Sequence, residues 1–163
     1  MTTNEPALVT IHEDDLSSEA TQALLRFHLQ QMQRNSPAGS VFALDLSGLK
    51  GSDVTVWTAR RGDDVIAVGA MKVLADGTGE LKSMRTHPDH LRQGAAAALL
   101  EHVIGVARRR NFRRLSLETG SGPAFDAALR LYRKRGFREG EAFSDYRRSA
   151  FNQFFHLDLQ DGD

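Results

Sequence analysis

The chain has 163 residues, and its 21 basic and 21 acidic side chains balance to a formal net charge of zero. The balance gives no basis for nucleic-acid binding, and no apolar stretch nears the roughly 20 residues that span a bilayer, so we expect neither partner. The sequence contains no cysteine, which excludes disulfides, thiolate zinc sites and a cysteine nucleophile and suits the reducing cytoplasm, where we expect the protein.

The amino-terminal third predicts a strand, a helix and a loop, and it lacks the basic and apolar blocks of a signal peptide. Apolar residues concentrated in 7–12 predict a short strand. Across 17–34 apolar residues recur at helical spacing, and the Asn-Ser-Pro sequence at 35–37 ends this helix. The segment 38–52, which contains several glycines, is predicted as a loop.

Three further strands are predicted, at 53–60, where apolar and polar residues alternate, and at 65–74 and 80–86. The segments 61–64 and 76–79 contain glycine and aspartate in the arrangement that is typical of tight turns. Strands joined by tight turns pair antiparallel, so we expect these three to form a meander.

The apolar period then changes to that of a helix, which is predicted at 94–110. A strand at 113–118 follows, then a helix at 123–135 that ends at Gly136, and a last strand at 151–159. A strand, a helix and a strand in succession normally place the two strands parallel and adjacent. The sequence therefore predicts an α/β fold with a mixed central sheet flanked by helices.

The segment 84–100 carries the main chemical signal. A strand ends, a short polar loop follows, and a helix opens on Gly94 and four alanines. The first turn of a helix has about four free backbone N–H groups and a partial positive charge, and small side chains let a phosphate approach them. A helix that merely packs closely on a sheet would show the same small residues. The sequence has neither the Gly-Lys-Ser/Thr of a P-loop nor the G-x-G-x-x-G of a dinucleotide fold.

The run HPDHLRQGAAAALL at 87–100 resembles the acetyl-CoA loop of the GNAT superfamily, whose pattern is Arg/Gln-x-x-Gly-x-Gly/Ala. Gly94 and Ala96 stand at its two small positions, and Leu91 stands where Arg or Gln is usual. The resemblance implies acetyl-CoA as cosubstrate and a pyrophosphate in contact with six successive residues: Arg92, Gln93, Gly94, Ala95, Ala96 and Ala97. It also implies that the preceding strand binds the pantetheine arm through the backbone of Met84, Arg85 and Thr86.

A second segment, AALRLYRKRGF at 127–137, resembles the A-x-x-L-Y-x-x-x-G-F segment of the same superfamily. The resemblance places Tyr132 near the cofactor sulfur and implies that it binds the cofactor and protonates the leaving thiolate. Phe125 stands where the family often has asparagine. The resemblance further implies a GNAT fold of six or seven strands, splayed between the fourth and fifth strands, as one domain over 1–163.

The function that the resemblance implies is transfer of an acetyl group from acetyl-CoA to a primary amine of a small molecule or peptide, by direct attack in a ternary complex. The alternative is a non-catalytic module of the same fold that binds or senses acyl-CoA. A third alternative, an arginine-rich nucleic-acid-binding domain, would rest on the basic cluster within 108–114. The resemblance leaves a homodimer open.

Four polar residues are candidates for handling the amine. Glu80 or Glu118 could take its proton, directly or through water, and the resemblance favours Glu80 as the catalytic base. Glu118, Asp145 and Tyr146 are expected to contact the acceptor. For Glu80 and Glu118 the alternative is a solvated carboxylate or a salt bridge, and for Asp145 and Tyr146 it is an ordinary connecting loop.

Two histidines, His87 and His90, stand three residues apart, as in some metal sites. No carboxylate-rich motif completes a ligand set, and the proline between them keeps the stretch out of an ordinary helix interior. We therefore predict no metal.

Overall fold

The computed structural model describes residues 8–159. Their elements are β1 (Val9–Glu13), α1 (Glu19–Asn35), α2 (Leu46–Leu49), β2 (Val54–Arg61), β3 (Asp64–Val73), β4 (Gly79–Thr86), α3 (Ala95–Arg109), β5 (Arg114–Thr119), α4 (Asp126–Arg135), β6 (Arg138–Glu139) and β7 (Gln153–Asp158). Short 3₁₀ helices at Pro88–His90 and Pro123–Phe125 precede α3 and α4. None of the described helices combines the length and apolar character needed to cross a membrane.

The predicted strands and helices are present, with ends shifted by at most three residues. Residue 7, at the start of the first predicted strand, lies outside the described residues. Two differences have local causes. The predicted loop 38–52 contains α2, which begins because the Asp45 carboxylate accepts a hydrogen bond from the Gly48 amide at 2.8 Å. Strand β6 was not predicted, because a strand of two residues has no periodicity to detect.

The seven strands form one mixed sheet in the order β1-β2-β3-β4-β5-β7-β6. Strands β2, β3 and β4 make the predicted antiparallel meander, and β1 pairs antiparallel with β2. Helix α3 connects β4 to β5, which run parallel, as a strand–helix–strand unit requires. The predicted α/β class is confirmed.

The sheet splits between β4 and β5. Within the described residues these strands pair only at Gly79 with Leu115 and at Glu80 with Ser116. Beyond these pairs β4 stays paired with β3, and β5 stays paired with β7 along its whole length. The predicted splay between the fourth and fifth strands is therefore confirmed, and it opens toward the carboxyl ends of both strands.

The two faces of the sheet are covered by different helices. On one face α3 buries Leu99 and Val103, and α4 buries Leu129. On the other face α1 buries Leu24 and Leu25 against strand residues. Each of these apolar side chains contributes about 1.5–3 kcal/mol through burial. The split consequently has α1 on one side and α4 on the other.

A buried carboxylate fixes the start of α1 against the sheet. Asp14 accepts hydrogen bonds from Arg60 at 3.0 Å, Thr58 at 3.2 Å and Thr21 at 3.0 Å, and its other oxygen accepts the Leu16 amide at 2.8 Å. Charge-assisted bonds of this kind are stronger than neutral ones. They hold the helix whose later turns line the split.

Candidate active site

The split in the sheet opens into a cleft of about 430 Å³. This volume lies in the range of small-molecule sites. The walls come from α1, from the 42–43 segment, from β4 and β5, and from α4 with its preceding turn. Its polar and aromatic lining residues are His28, Gln31, Asn35, Phe42, Glu80, Lys82, Ser83, Arg85, Glu118, Thr119, Phe125 and Tyr132.

Strand β4 carries a bulge where it borders the cleft. Val68 of β3 pairs with Arg85, and Ala70 pairs with Lys82, so Gly69 faces both Ser83 and Met84. Ser83 adopts a left-handed backbone conformation, with φ of 58°. Its hydroxyl oxygen is buried and finds no hydrogen-bond partner among the described residues. The bulge thus takes residues 83–84, which line the cleft, out of the regular ladder with β3.

Glu80, Lys82 and Tyr146 form a buried hydrogen-bonded cluster in the cleft wall. Lys82 Nζ lies 3.1 Å from Glu80 Oε2, 2.9 Å from the Tyr146 hydroxyl and 3.3 Å from the Phe42 carbonyl oxygen. The Tyr146 hydroxyl also donates to Glu80 Oε2. Burial and the neighbouring Glu80 carboxylate raise the pKa of Tyr146 far above its usual value, so it stays protonated.

Lys82 was not among the predicted site residues. A signal was present, because Glu80 and Lys82 are two apart and successive side chains of a strand alternate between its faces. The two residues therefore share the face of β4 that α1 covers.

Glu118 lines the cleft from the opposite strand, β5, and is half-buried. Burial raises the pKa of Glu118 to about 7, Lys82 opposes this rise, and the Glu80 carboxylate adds to it. At neutral pH both protonation states of Glu118 are therefore populated. A carboxyl group in this condition can accept a proton and later release it.

Tyr132 of α4 lines the cleft with a side chain that is buried against Phe137, at 5.6 Å between ring centroids. Burial raises the pKa of Tyr132 above its ordinary value, and the nearby Arg85 opposes the rise. The hydroxyl therefore keeps its proton at neutral pH and can donate it.

Arg85 and His28 meet on the α1 side of the cleft. Arg85 Nε donates to His28 Nδ1 at 3.0 Å, and the guanidinium lies over the Phe27 ring at 5.8 Å. Burial, with Arg85 and Lys82 nearby, lowers the pKa of His28 to about 3, so its ring is neutral. His28 was not predicted as a site residue, although it is a polar residue on the helix face that buries Leu24 and Leu25.

The predicted phosphate loop precedes α3. Arg92 and Gly94 both have left-handed backbone conformations, with φ of 62° and 82°. The Ala98 amide bonds back to the Gly94 carbonyl at 3.0 Å, so the three amides before it, at 95–97, precede the first such helical bond. No side chain caps the helix at Gly94. These amides and the helix dipole favour an anion.

The predicted site residues occupy two places. Glu80, Met84, Arg85, Glu118 and Tyr132 line the cleft, and Tyr146 contacts its wall through Glu80. Thr86 and the residues at 92–97 lie outside the lining, where β4 ends and α3 begins. Asp145 is exposed and does not line the cleft.

The two loop histidines pack on each other at 5.4 Å between ring centroids. His87 Nδ1 accepts the Asp89 amide at 3.1 Å, which caps the short helix of this loop. Across residues 8–159 no group of three or more metal-ligating side chains is close enough to hold an ion.

Comparison with known proteins gives consistent matches. Residues 15–137 match the model of the acetyltransferase (GNAT) family. The chain is 44% identical over 152 residues to the uncharacterized N-acetyltransferase YedL of Escherichia coli (strain K12), a match that covers 93% of this chain and 96% of that protein.

Two solved structures show the same fold. One, from Klebsiella pneumoniae subsp. pneumoniae and provisionally assigned as an acyl-CoA N-acyltransferase, has a TM-score of 0.79 at 27% identity and covers 94% of this chain and 99% of its own. A GNAT family acetyltransferase from Elizabethkingia anophelis, solved with acetyl-CoA bound, has a TM-score of 0.65 at 17% identity, with coverage of 93% and 98%.

Proposed function

Because this chain belongs to the acetyltransferase (GNAT) family, we propose that it transfers the acetyl group of acetyl-CoA to a primary amine of a small molecule or peptide. We propose that the amine attacks directly, in a ternary complex. The observation that carries the proposal is the cleft in the split sheet, where Glu118, with a pKa of about 7, and the protonated Tyr132 line the same cavity.

Two features of the chain fit acetyl-CoA. The amides at 95–97 and the left-handed Gly94 form a place where a diphosphate can approach the backbone, and Arg92 and Gln93 flank it. The bulge at 83–84 takes Ser83 and Met84, which line the cleft, out of the regular ladder with β3. Acetyl-CoA supplies the acetyl group as a reactive thioester, and residues 84–86 would hold its arm through their backbone.

Glu118 is our candidate for the base. An amine of the lysine type has a pKa of about 10.4 and must lose a proton before it attacks. Glu118 would accept that proton, since its raised pKa makes the carboxylate a stronger base than an exposed one. The Glu80 carboxylate is already bonded to Lys82 and Tyr146, which supports a positioning role. The family resemblance favours Glu80 as the base, and this stays a prediction. The pH–rate profiles of Glu118→Gln and Glu80→Gln distinguish the two carboxylates.

Tyr132 is our candidate for the acid. Its proton is retained at neutral pH, and the hydroxyl would donate it to the sulfur that leaves when the carbon–sulfur bond breaks. The Met84 amide, at the bulge, would stabilise negative charge on the thioester oxygen. Four further expectations remain predictions: contact of the acceptor with Tyr146 and Asp145, a single domain, a cytoplasmic location and a homodimer.

Thiol release with a panel of primary amines tests the proposal. The chain has no cysteine, so a thiol-reactive dye reports free CoA without a background from the protein. We expect release that requires both acetyl-CoA and an amine, and a strong loss in Glu118→Gln. Glu139→Gln, which removes an exposed carboxylate on β6, is the matched control and should keep the rate. Binding of acetyl-CoA without release for any amine would instead indicate the non-catalytic acyl-CoA-binding module.

A further inference from the structure

Arg85 is a cation in the cleft whose charge the protein does not balance. Within residues 8–159 the ion pairs of the molecule do not include Arg85. Its contacts are the neutral His28 ring and the face of Phe27. A half-buried guanidinium without a carboxylate loses hydration and gains no counter-charge, so a bound anion would offset the cost.

The other charges in the cleft lining belong to Glu80, Lys82 and Glu118. Glu80 and Lys82 form an ion pair, with side chains 5% and 9% exposed. When Glu118 is ionised to serve as the base, an incoming ammonium group balances it. The positive charge of Arg85 then remains, and a negative group on the same ligand would balance it.

The side chain of Arg85 points away from the place proposed for the cofactor phosphates. The neighbouring Met84 packs on the α3 face of the sheet, since its sulfur is the nearest atom to the position that a Cβ on Gly69 would take, followed by Leu99 of α3. Successive strand side chains alternate, and Arg85 accordingly contacts α1 on the opposite face, through His28. The anion that Arg85 binds is therefore expected on the acceptor.

Both partners in this contact offer donors in a fixed arrangement. The guanidinium uses one of its five N–H groups on His28, and its plane is held by that bond and by Phe27. Because His28 Nδ1 accepts a bond, the proton of this neutral ring is on Nε2, which is a further donor. A planar fork of donors matches a carboxylate.

We propose that the acceptor is an amino acid or another small amine that carries a carboxylate, with its amine facing Glu118 and its carboxylate bound by Arg85. This inference rests on the acetyltransferase proposal and narrows it. Polyamines, lysine side chains and most protein N-termini lack a carboxylate beside the reacting amine. They would leave Arg85 unbalanced and are therefore disfavoured.

The first test compares matched acceptors in the thiol-release assay: alanine, phenylalanine, aspartate and β-alanine, each against its carboxamide. We expect at least one acid to exceed its amide in kcat/KM by about tenfold to a hundredfold, mainly through a lower KM. This factor corresponds to the stabilisation that a hydrogen bond to a charged group provides. Arg85→Gln should reduce that preference to within about threefold, whereas Arg114→Gln, which removes an exposed arginine on β5, should preserve it. Equal rates for every acid and amide would overturn the inference.

The second test needs no turnover. Calorimetric titration of the CoA-saturated protein with N-acetylphenylalanine and N-acetylalanine, and with their amides, should show tighter binding of an acid that Arg85→Gln abolishes. An equal affinity for acids and amides overturns the inference even if acetylation occurs. If Arg85→Gln weakens acetyl-CoA binding as much as acid binding, Arg85 serves the cofactor and the inference is wrong. Absence of release for all amines counts against the acetyltransferase proposal, and binding then decides the carboxylate preference.

Discussion

Lys82 Nζ lies 3.1 Å from Glu80 Oε2, in an ion pair whose two side chains are more than nine-tenths buried. Removing the cation alone leaves the carboxylate buried with only the Tyr146 hydroxyl, so we expect Lys82→Met to lower the free energy of unfolding by about 3 kcal/mol. The double variant Glu80→Gln with Lys82→Met, which removes both charges, should recover most of this loss. Urea unfolding followed by circular dichroism measures both. A Lys82→Met variant as stable as the wild type would show that this ion pair does not stabilise the fold.

The pH dependence of turnover identifies the base. A base acts when deprotonated, so kcat/KM should fall as the pH decreases through about 7, the pKa of Glu118. We expect Glu118→Gln to lower kcat/KM by about 10²-fold to 10⁴-fold and to remove this acidic limb. Glu80→Gln should change the rate but keep the limb. The reverse result would restore Glu80 as the base.

Loss of the Tyr132 hydroxyl should affect the chemical step more than the fold. Tyr132→Phe keeps the ring that packs on Phe137, so its unfolding midpoint should stay close to that of the wild type. We expect kcat to fall about 10²-fold because the leaving sulfur loses its proton donor. Steady-state kinetics with saturating acetyl-CoA measures this effect. An unchanged kcat, in a reaction whose chemical step limits the rate, would remove Tyr132 from catalysis.

The buried, neutral His28 should make the free energy of unfolding decrease at acid pH. Its folded pKa of about 3 lies below the ordinary value of 6.5, so the folded state disfavours the proton that the unfolded chain binds. The stabilisation is present above pH 6.5 and is lost as the pH falls toward 3, by up to about 1.4 kcal/mol per pH unit. His28→Asn should flatten this part of the profile of unfolding free energy against pH. A profile that keeps the wild-type slope would show that a group other than His28 causes the loss of stability.

Two glycines with the same geometry allow a controlled test of the phosphate loop. Gly94 and Gly77 have φ of 82° and 80°, and neither has a heavy atom within 4 Å of the position of an added Cβ. Alanine at either position should cost about 1–2 kcal/mol of stability through left-handed strain. Only Gly94→Ala should weaken CoA binding, by about tenfold, since Gly77 lies in the turn between β3 and β4. Equal CoA affinities of Gly94→Ala and Gly77→Ala in calorimetry would show that the loop at Gly94 does not bind the phosphates.

Local patterns in the sequence predicted the order of elements, because strand alternation, helical periodicity and turn residues are local signals. The splay was expected only from the resemblance to the GNAT superfamily, because no local pattern specifies where a sheet separates. Topology placed Glu118 at the carboxyl end of a parallel strand, whereas Glu80 and Tyr132 were placed by the resemblance, and all three line the cleft. The contact of Arg85 with His28 joins residues 57 apart, and that of Tyr146 with Glu80 joins residues 66 apart. Such pairings depend on how α1 and the 143–146 turn pack on the sheet, which periodicity does not specify.

The separation of β4 from β5 also gives this molecule two strand edges that face inward. An outer edge with unpaired N–H and C=O groups can recruit a strand of another molecule and seed aggregation. Here the facing edges converge on the shared pairs at Gly79 and Glu80, and α1 and α4 stand on either side. The wedge narrows to those two pairs and helices cover both of its faces, so its edges are less accessible to a strand of another molecule than an outer edge is. The protein can thus keep two strand edges unpaired without the self-association that exposed edges favour.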